Sequence, residues 1–235
     1  MKVITWNIHR CIGLDGGYRP ERIASVLKSL KADVIALQEV DSSLLVDAKT
    51  NQLEYLASKL GMEAVMGPTL RSDYGAYGNA ILTRHEILQC EEHDLSFRRF
   101  EPRGALAIVL RHECGPVRVV NTHLGLKYWE RAFQVDRLLS RLIWDESERV
   151  VVAGDFNEWL PWTGNNLRLE RSFSAFSKRM ATFPSQWPRF ALDRVFVSGD
   201  VDRIDCKVVI DPLARVASDH LPLIAEIEFK GSRRE

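Results

Sequence analysis

Nothing in this chain approaches the run of about eighteen apolar residues that a membrane-spanning helix requires, although apolar residues fill 46% of its 235 positions. The opening Met1-Lys-Val-Ile-Thr-Trp-Asn7 lacks the longer apolar stretch and small-residue cleavage site of a secretory signal, and reads as a first strand. Cysteine is sparse: Cys11, Cys90, Cys114 and Cys206 stand far apart, without the paired spacing of a zinc or dithiol site. A reducing, cytoplasmic compartment is the expectation. Net charge is missing too, with 32 basic residues balancing 32 acidic ones and a pI near 7.0. Proteins that live on nucleic acid usually carry a basic excess. Composition gives that class no support, although charge segregated onto one face would escape this test. Repeats and low-complexity blocks are absent, and the even hydrophobic pattern predicts one domain over residues 1–235.

What is present is most informative at Val150-Val-Val-Ala-Gly-Asp155-Phe-Asn157. Four apolar residues predict a short buried strand, and Gly154 is expected to let the chain turn. Strand side chains alternate, so Asp155 and Asn157 are expected to point the same way from the strand's carboxyl end, where α/β sheets build their sites. A carboxylate takes a proton or holds a divalent cation, and an amide donates to a phosphate oxygen. An Asx turn closing the strand is the alternative.

Along the rest of the chain, residues 2–9 read as a buried strand. Ile23, Val26, Leu27 and Leu30 recur at helical spacing after Pro20, a favoured first-turn residue. Residues 33–39 form a second strand, and Thr50 is the expected cap of a short helix through Leu60. Strand-like runs follow at residues 62–66, 79–83, 87–94, 104–112 and 117–123. The longest helix is expected over residues 127–145, with Trp129, Phe133, Leu138, Leu139 and Leu142 on its inner face. A loop through Trp159, Pro161, Trp162 and Gly164 follows Asp155, and strands return at residues 192–197, 202–210 and 221–229. Strands outnumber helices and many neighbours are close enough to pair as hairpins. Two mixed sheets packed face to face, with helices outside, are expected.

Polar residues gather at the ends of these strands: Asn7 and His9, Gln38 and Glu39, Asn121 and His123, then Ser218, Asp219 and His220. Each has an ordinary reading. Glu39 could be solvated beyond its strand, His123 a satisfied core histidine, and Asn7 a turn residue. All being ordinary in this order is a much weaker reading.

The ordered set Trp6-Asn-Ile-His9, Leu37-Gln-Glu39, Tyr77-Gly-Asn79-Ala-Ile-Leu, Pro102-Arg-Gly104, Asn121-Thr-His123-Leu, Gly154-Asp-Phe-Asn157, Leu192-Asp-Arg-Val195 and Ser218-Asp-His220 resembles the endonuclease/exonuclease/phosphatase superfamily, with its deoxyribonuclease-I-like fold. The pieces span nearly the whole chain. The resemblance implies a four-layer α/β sandwich with strand-end loops forming the cleft, and metal-dependent hydrolysis of a phosphate ester.

That chemistry suits these residues. A phosphodiester is anionic and repels hydroxide, so its hydrolysis needs charge neutralisation and a positioned water. Glu39 is the expected main ligand of Mg²⁺ (or Mn²⁺), a hard ion that prefers carboxylate oxygens, and the resemblance adds Asp219 to hold or orient it. Asn7 and Asn157 supply amides to the phosphate or to metal-bound water, Asn7 also counting among the metal residues. Asp155 would orient or deprotonate the attacking water. Asp193 would hold His220 and fix its tautomer, leaving open whether His220 is the base or a protonated phosphate clamp. His123 would contact the phosphoryl group from the other side. Arg103 could pair with its oxygens or be a surface ion pair, and Tyr77 is a phosphate contact or a core residue. His9 alternates away from this set and falls outside the expected site.

The expected substrate is a phosphodiester, or a phosphomonoester, with a small diester or phospholipid head group favoured slightly over nucleic acid. A nuclease without sequence preference and an inactive binding protein on the same fold are the alternatives. A membrane surface would be met only through a lipid substrate, and a monomer is expected. The aromatic loop over residues 159–188, with Arg168, Arg171, Lys178 and Arg179, could stack on bases, meet a lipid interface or pack as core.

Overall fold

The computed structural model describes residues 1–42, 51–142 and 149–231. In chain order its elements are β1 (Lys2–Asn7), a 3-10 turn (His9–Cys11), α1 (Pro20–Leu30), β2 (Val34–Asp41), α2 (Gln52–Leu60), β3 (Glu63–Ser72), β4 (Gly75–Thr83), β5 (Ile87–Asp94) and β6 (Gly104–His112). There follow β7 (Gly115–His123), α3 (Tyr128–Leu142), β8 (Arg149–Asp155), α4 (Gly164–Ser172), β9 (Ala175–Phe176), β10 (Asp193–Ser198), β11 (Val201–Val208), α5 (Pro212–Ala217) and β12 (Leu223–Phe229).

The strands form two six-stranded sheets, ordered β11-β12-β1-β2-β4-β3 and β5-β6-β7-β8-β10-β9. Each has one parallel pair at its centre, β1–β2 and β7–β8, and antiparallel pairs elsewhere. The parallel pairs are those whose strands are joined through α1 and α3, because a parallel return needs a crossover. Both carboxyl ends of a parallel pair lie at the same edge of the sheet. Asn7, Glu39, His123 and Asp155 lie at or just before these four ends.

Alternation along the central strands builds three apolar interfaces. Val3, Val34 and Ala36 of one sheet pack against Leu106, Ile108, Val119 and Val151 of the other. On the outer face of the first sheet, Ile4, Trp6, Ile35 and Leu37 meet Ile23 and Leu27 of α1, Leu56 of α2 and Ala214 of α5. Ala105, Val120, Val150 and Val152 meet Val135 and Leu138 of α3 and Leu169 of α4. The result is the four-layer α/β sandwich. Strands covered on both faces explain the nearly unbroken apolar runs in the sequence.

Several local expectations change. The cap of α2 is Asn51, whose side chain accepts from the backbone N–H groups of Leu53 and Glu54; Thr50 lies outside the described residues, as does Asp145. Trp129 is 75% exposed, whereas Leu138, as expected, is buried on the inner face of α3 with Leu139 packed against it, joined by Val135. Residues 164–172, expected as loop, form α4, capped by Thr163. Its sequence gives little periodicity, because Leu169 is buried while Leu167 is exposed. β11 ends at Val208, two residues short of the expected strand over residues 202–210, and an unexpected short helix, α5, follows with Asp211 as cap and Pro212 at its first position.

Gly154 does not turn the chain. It lies inside β8, opposite Thr122 and Arg194, where an added Cβ would stand 1.9 Å from the Thr122 carbonyl oxygen. The glycine lets two backbones approach beside Asp155. Gly154→Ala is expected to destabilise the fold by roughly 1–3 kcal/mol through overpacking, read as a lower urea midpoint at unchanged slope; an unshifted midpoint would refute this account.

Candidate active site

The strand ends meet at a cleft of about 450 Å³ lined by Asn7, Glu39, Tyr77, Arg103, His123, Asp155, Asn157, Asp219 and His220. Asp193 stands behind His220 and completes the expected set. A larger hollow of about 670 Å³ lies over β3, β4 and α2, but among the described residues its only charged lining residues are Glu54 and Arg71. The chemistry is in the smaller cleft.

Glu39 reaches it through a break in alternation. Leu37 pairs with Ala80 and Val40 with Gly78, so Gln38 and Glu39 together oppose Asn79 in a β-bulge. Regular alternation would send Glu39 with Leu37 towards the helices. Instead Glu39 takes a left-handed φ of 56°, a conformation that costs a residue with a side chain about 1–3 kcal/mol and that clusters at functional sites. Asn121 of the opposite sheet braces the bulge, donating to the carbonyls of Leu37 (2.7 Å) and Ala80 (2.8 Å) and accepting from Gln38 Nε2 (2.7 Å).

Asp155 is the hub. Its Oδ2 accepts from Asn7 Nδ2 at 3.2 Å and lies 3.5 Å from His123 Nε2 and 3.6 Å from His220 Nε2. Its Oδ1 accepts the backbone N–H of Asn157 at 2.9 Å. The Asx turn is therefore real, and it is also what turns Asn157, at φ 50°, into the cleft. Asn7 Nδ2 also donates to Glu39 Oε1 at 2.9 Å, while its Oδ1 accepts from His9 N at 3.1 Å. So placed, the Asn7 amide steadies two carboxylates; a ligand role would require it to turn over.

The two histidines differ in charge. Arg103 can only donate, so its 3.2 Å contact to His123 Nδ1 makes that nitrogen an acceptor; Nε2 stands 3.1 Å from the Asn157 amide nitrogen, which also donates to Leu124 O, and 3.5 Å from Asp155 Oδ2. Burial, opposed by Asp155 and aided by Arg103, lowers the His123 pKa to about 3, so this ring is neutral. At His220 burial is again the largest influence and disfavours the cation, but Asp193, Asp155 and Asp219 together outweigh it and raise the pKa to about 10. His220 Nδ1 donates to Asp193 Oδ2 at 2.8 Å, and the same oxygen accepts from Thr182 Oγ1 at 2.5 Å. Trp6 Nε1 holds the His220 carbonyl at 2.9 Å, and Ser218 Oγ ties the loop to Asn7 O at 2.7 Å. Asp155, Asp193 and His220 place one ligand atom each within 4.8 Å of one another. With Asp193 Oδ2 already holding two donors, that group is a hydrogen-bonded pair aimed at Asp155, not an open metal site.

Arg103 does form an ion pair, Nη2 donating to exposed Glu101 at 3.1 Å, but its own side chain is 7% exposed and lines the cleft. Tyr77 lines the cleft half-buried, and burial, then Glu39, pushes its phenol upward, so it stays a protonated donor. Sequence reasoning missed His9 and Arg10, which enter the cleft because His9, Arg10 and Cys11 all take left-handed φ (45°, 55° and 58°) and end the alternation of β1. It also missed Thr182 and Glu101. Polar chains at 182 and 101 carried no local signal, since the first acts only through Asp193 and the second through Arg103.

Two face-packed sheets whose strand ends gather acids, amides and histidines in one cleft define a deoxyribonuclease-I-like protein. The chain belongs to the Endonuclease/Exonuclease/phosphatase family, whose model matches residues 4–220; its members are hydrolases of phosphoester bonds. Over 247 aligned residues it is 29% identical to the uncharacterized protein YbhP of Escherichia coli strain K12, covering 97% of this chain and 96% of that one. Among solved structures it is similar to the endonuclease/exonuclease/phosphatase from Beutenbergia cavernae (TM-score 0.79, 22% identity, 98% of this chain and 72% of that one). It is also similar to the mannosyl-6-phosphatase Bt3783 of Bacteroides thetaiotaomicron (TM-score 0.73, 18% identity, 97% and 100%). At these identities the structural likeness is one of fold.

Proposed function

We propose that this protein is a divalent-metal-dependent phosphodiesterase that hydrolyses small diesters or phospholipid head groups by in-line attack of water. The observation that carries this reading is the convergence of Glu39, Asp155, His123 and the Asp193–His220 pair, from both sheets, on one cleft. Family members are typically dependent on a divalent metal, and the residues here fit one. Glu39, Asp155 and Asp219 present carboxylates to the cleft, and among the described residues no Lys or Arg hydrogen-bonds to any of them. Three carboxylates met by one cationic ring, His220 at 3.6 Å from Asp155, form an oxygen set that suits Mg²⁺ or Mn²⁺. When bound, the ion would neutralise phosphate charge and make water more acidic.

The protein's own groups do the rest. Glu39 would hold the ion, with Asp219 beside it. Asp155, fixed through Oδ1 by the Asn157 backbone, would orient the attacking water and accept its proton through Oδ2. Neutral His123 and the Asn157 amide would donate to phosphate oxygens. Arg103 holds His123 in place, with Tyr77 donating nearby. Asp193 fixes His220 so that Nε2 faces the reacting phosphate.

A nuclease on the same site is the second reading, and the balance of 32 acids and 32 bases disfavours it. A protein that neutralises six or more phosphates of duplex DNA loses about 10³-fold or more in affinity between about 50 and 200 mM salt. Hydrolysis of bis(p-nitrophenyl) phosphate is expected to require Mg²⁺ or Mn²⁺ strictly and to vary only mildly with salt. Plasmid cleavage should be weak, without sequence preference and steeply salt-dependent. If nicking at physiological salt outpaces turnover of every small diester and phospholipid tested, the nuclease reading replaces this one.

A further inference from the structure

One side of the cleft mouth carries large apolar side chains that none of the described residues covers. Leu126, Tyr128 and Trp129 stand where β7 leads into α3, Leu160 and Trp162 between β8 and α4, and Trp187 between β9 and β10. Three of the chain's six tryptophans are here, 75%, 72% and 64% exposed at positions 129, 162 and 187. Scattered exposed leucines need no explanation, but a cluster of exposed tryptophans marks an interaction surface.

These tips are built on a rigid frame. Buried Arg131 donates to the carbonyls of Gly125 (3.3 Å) and Leu126 (2.6 Å) and pairs with buried Glu158. Glu158 also accepts from Thr163 and, at 3.0 Å, from Asn165. The Tyr128 hydroxyl lies 3.5 Å from where a Cβ on Gly164 would stand, so the first two tips touch. The Trp159 ring packs edge-on against Phe183 (5.7 Å) and Phe190 (5.0 Å), joining the second tip to the third. The expected aromatic loop is thus divided: Trp159 and Phe183 pack inward, while Trp162 and Trp187 face water.

Charge identifies what this surface fits. Across residues 125–131, 158–163 and 185–189 the exposed charged side chains are Lys127 and Arg189, both cationic, whereas the acids Glu130 and Glu158 are buried and hydrogen-bonded. Tryptophan and tyrosine favour the head-group level of a bilayer, leucine inserts below it, and lysine or arginine is drawn to anionic lipid. We propose that these three tips dock the protein on an anionic phospholipid surface. Leu126 and Trp159 also line the cleft, so a bilayer seated on the tips would bring lipid phosphates to its mouth. The proposal rests on the phosphodiesterase reading for its purpose, but binding is separable from hydrolysis.

Sedimentation with vesicles of phosphatidylglycerol and phosphatidylcholine, run in EDTA so that turnover plays no part, is expected to carry the protein down with a blue-shifted tryptophan emission. Pure phosphatidylcholine should hold it about ten-fold more weakly or worse, given two cations near the surface. The triple variant Trp129→Ala, Trp162→Ala, Trp187→Ala is expected to lose about ten-fold or more in partitioning while hydrolysing a soluble diester as before. Lys127→Glu with Arg189→Glu should erase the preference for phosphatidylglycerol, and this pair decides the matter should the triple variant fold poorly. No sedimentation with phosphatidylglycerol vesicles overturns the proposal, as does partitioning unchanged in both variants. Tryptophan-dependent binding of a single-stranded oligonucleotide tighter than to vesicles, or a dimer that the triple variant abolishes, overturns it too. Vesicle binding without any soluble-diester hydrolysis in the wild type would leave the docking surface standing and remove the reaction reading.

Discussion

Glu39→Gln is expected to remove most Mg²⁺ binding and most diester hydrolysis while leaving the fold intact. The exchange keeps the shape of the side chain, removes its charge and turns one acceptor oxygen into an amide donor. Glu39 has one hydrogen-bond partner, Asn7, and is only half-buried, so little packing depends on it. The other groups that face it are Asn7, which as placed donates, and Asp155 and Asp219, which are shared with the histidines and with Ser218. Asp219, proposed beside it, would be left to hold the ion without the main carboxylate. Changes in the outer shell of a metal site alone cost about 10–100-fold in affinity or activity, so losing the main ligand should exceed about 100-fold in both. Calorimetric titration of Mg²⁺ into the two proteins measures the first, and turnover of a soluble diester the second. Thermal melts add an independent reading: Mg²⁺ should raise the wild-type melting temperature by mass action and leave that of Glu39→Gln where it was. In EDTA the variant should melt no lower than the wild type, since the charge is lost from a cluster of like charges. Unchanged Mg²⁺ affinity in the variant would sink the assignment.

How the site was visible in the sequence depends on how each residue reaches the cleft. Asn7, His123 and Asp155 close central strands, and an apolar run followed by a polar residue is a local signal. The pairing of Asp193 with His220 spans 27 positions and was available only through the resemblance of their motifs. Glu39 was identified from its place after Leu37-Gln38, but the bulge that aims it depends on pairing with Asn79, a partner 40 positions away in sequence. His9 was set aside by strict alternation, which three consecutive left-handed residues cancel. Gly154 looked like a turn because its need, the close approach of Thr122, belongs to a neighbouring strand. Trp129 fell on the helical stripe of α3 and still faces water. Periodicity reports which face a residue occupies, not whether a partner covers that face. The sandwich itself was legible, since it follows from apolar strands that the rest of the chain must bury on both sides.

Asp193→Asn is expected to lower the pKa of His220 and to cripple turnover together. Asp193 is fully buried, and its Oδ2 accepts from both His220 and Thr182. Burial by itself would push the His220 imidazolium to deprotonate below its ordinary value; Asp193, then Asp155, hold the midpoint at about 10. Removing the first of these carboxylates leaves burial less opposed, so the midpoint must fall, by about 1–3 units for loss of an adjacent opposite charge. The stability that this pair gives the metal-free protein follows the same sign. It is fully present below the ordinary histidine pKa of about 6.5 and fades as pH rises through about 10, and the variant should lack it. Nuclear magnetic resonance of the His220 ring in EDTA-treated protein reads the midpoint without a competing ion. Thr182→Val is the control of sign, because it leaves the carboxylate in place with one donor fewer and should keep the midpoint as high or higher. In the proposed reaction, Asp193 would fix which face of the His220 ring meets the phosphate. Its loss should reduce kcat by about 10²–10⁴-fold, the range of a positioned acid–base group, with KM moving much less. An identical His220 midpoint in wild type and Asp193→Asn would show that the 2.8 Å contact does not govern the ring, and would separate Asp193 from the chemistry of the cleft.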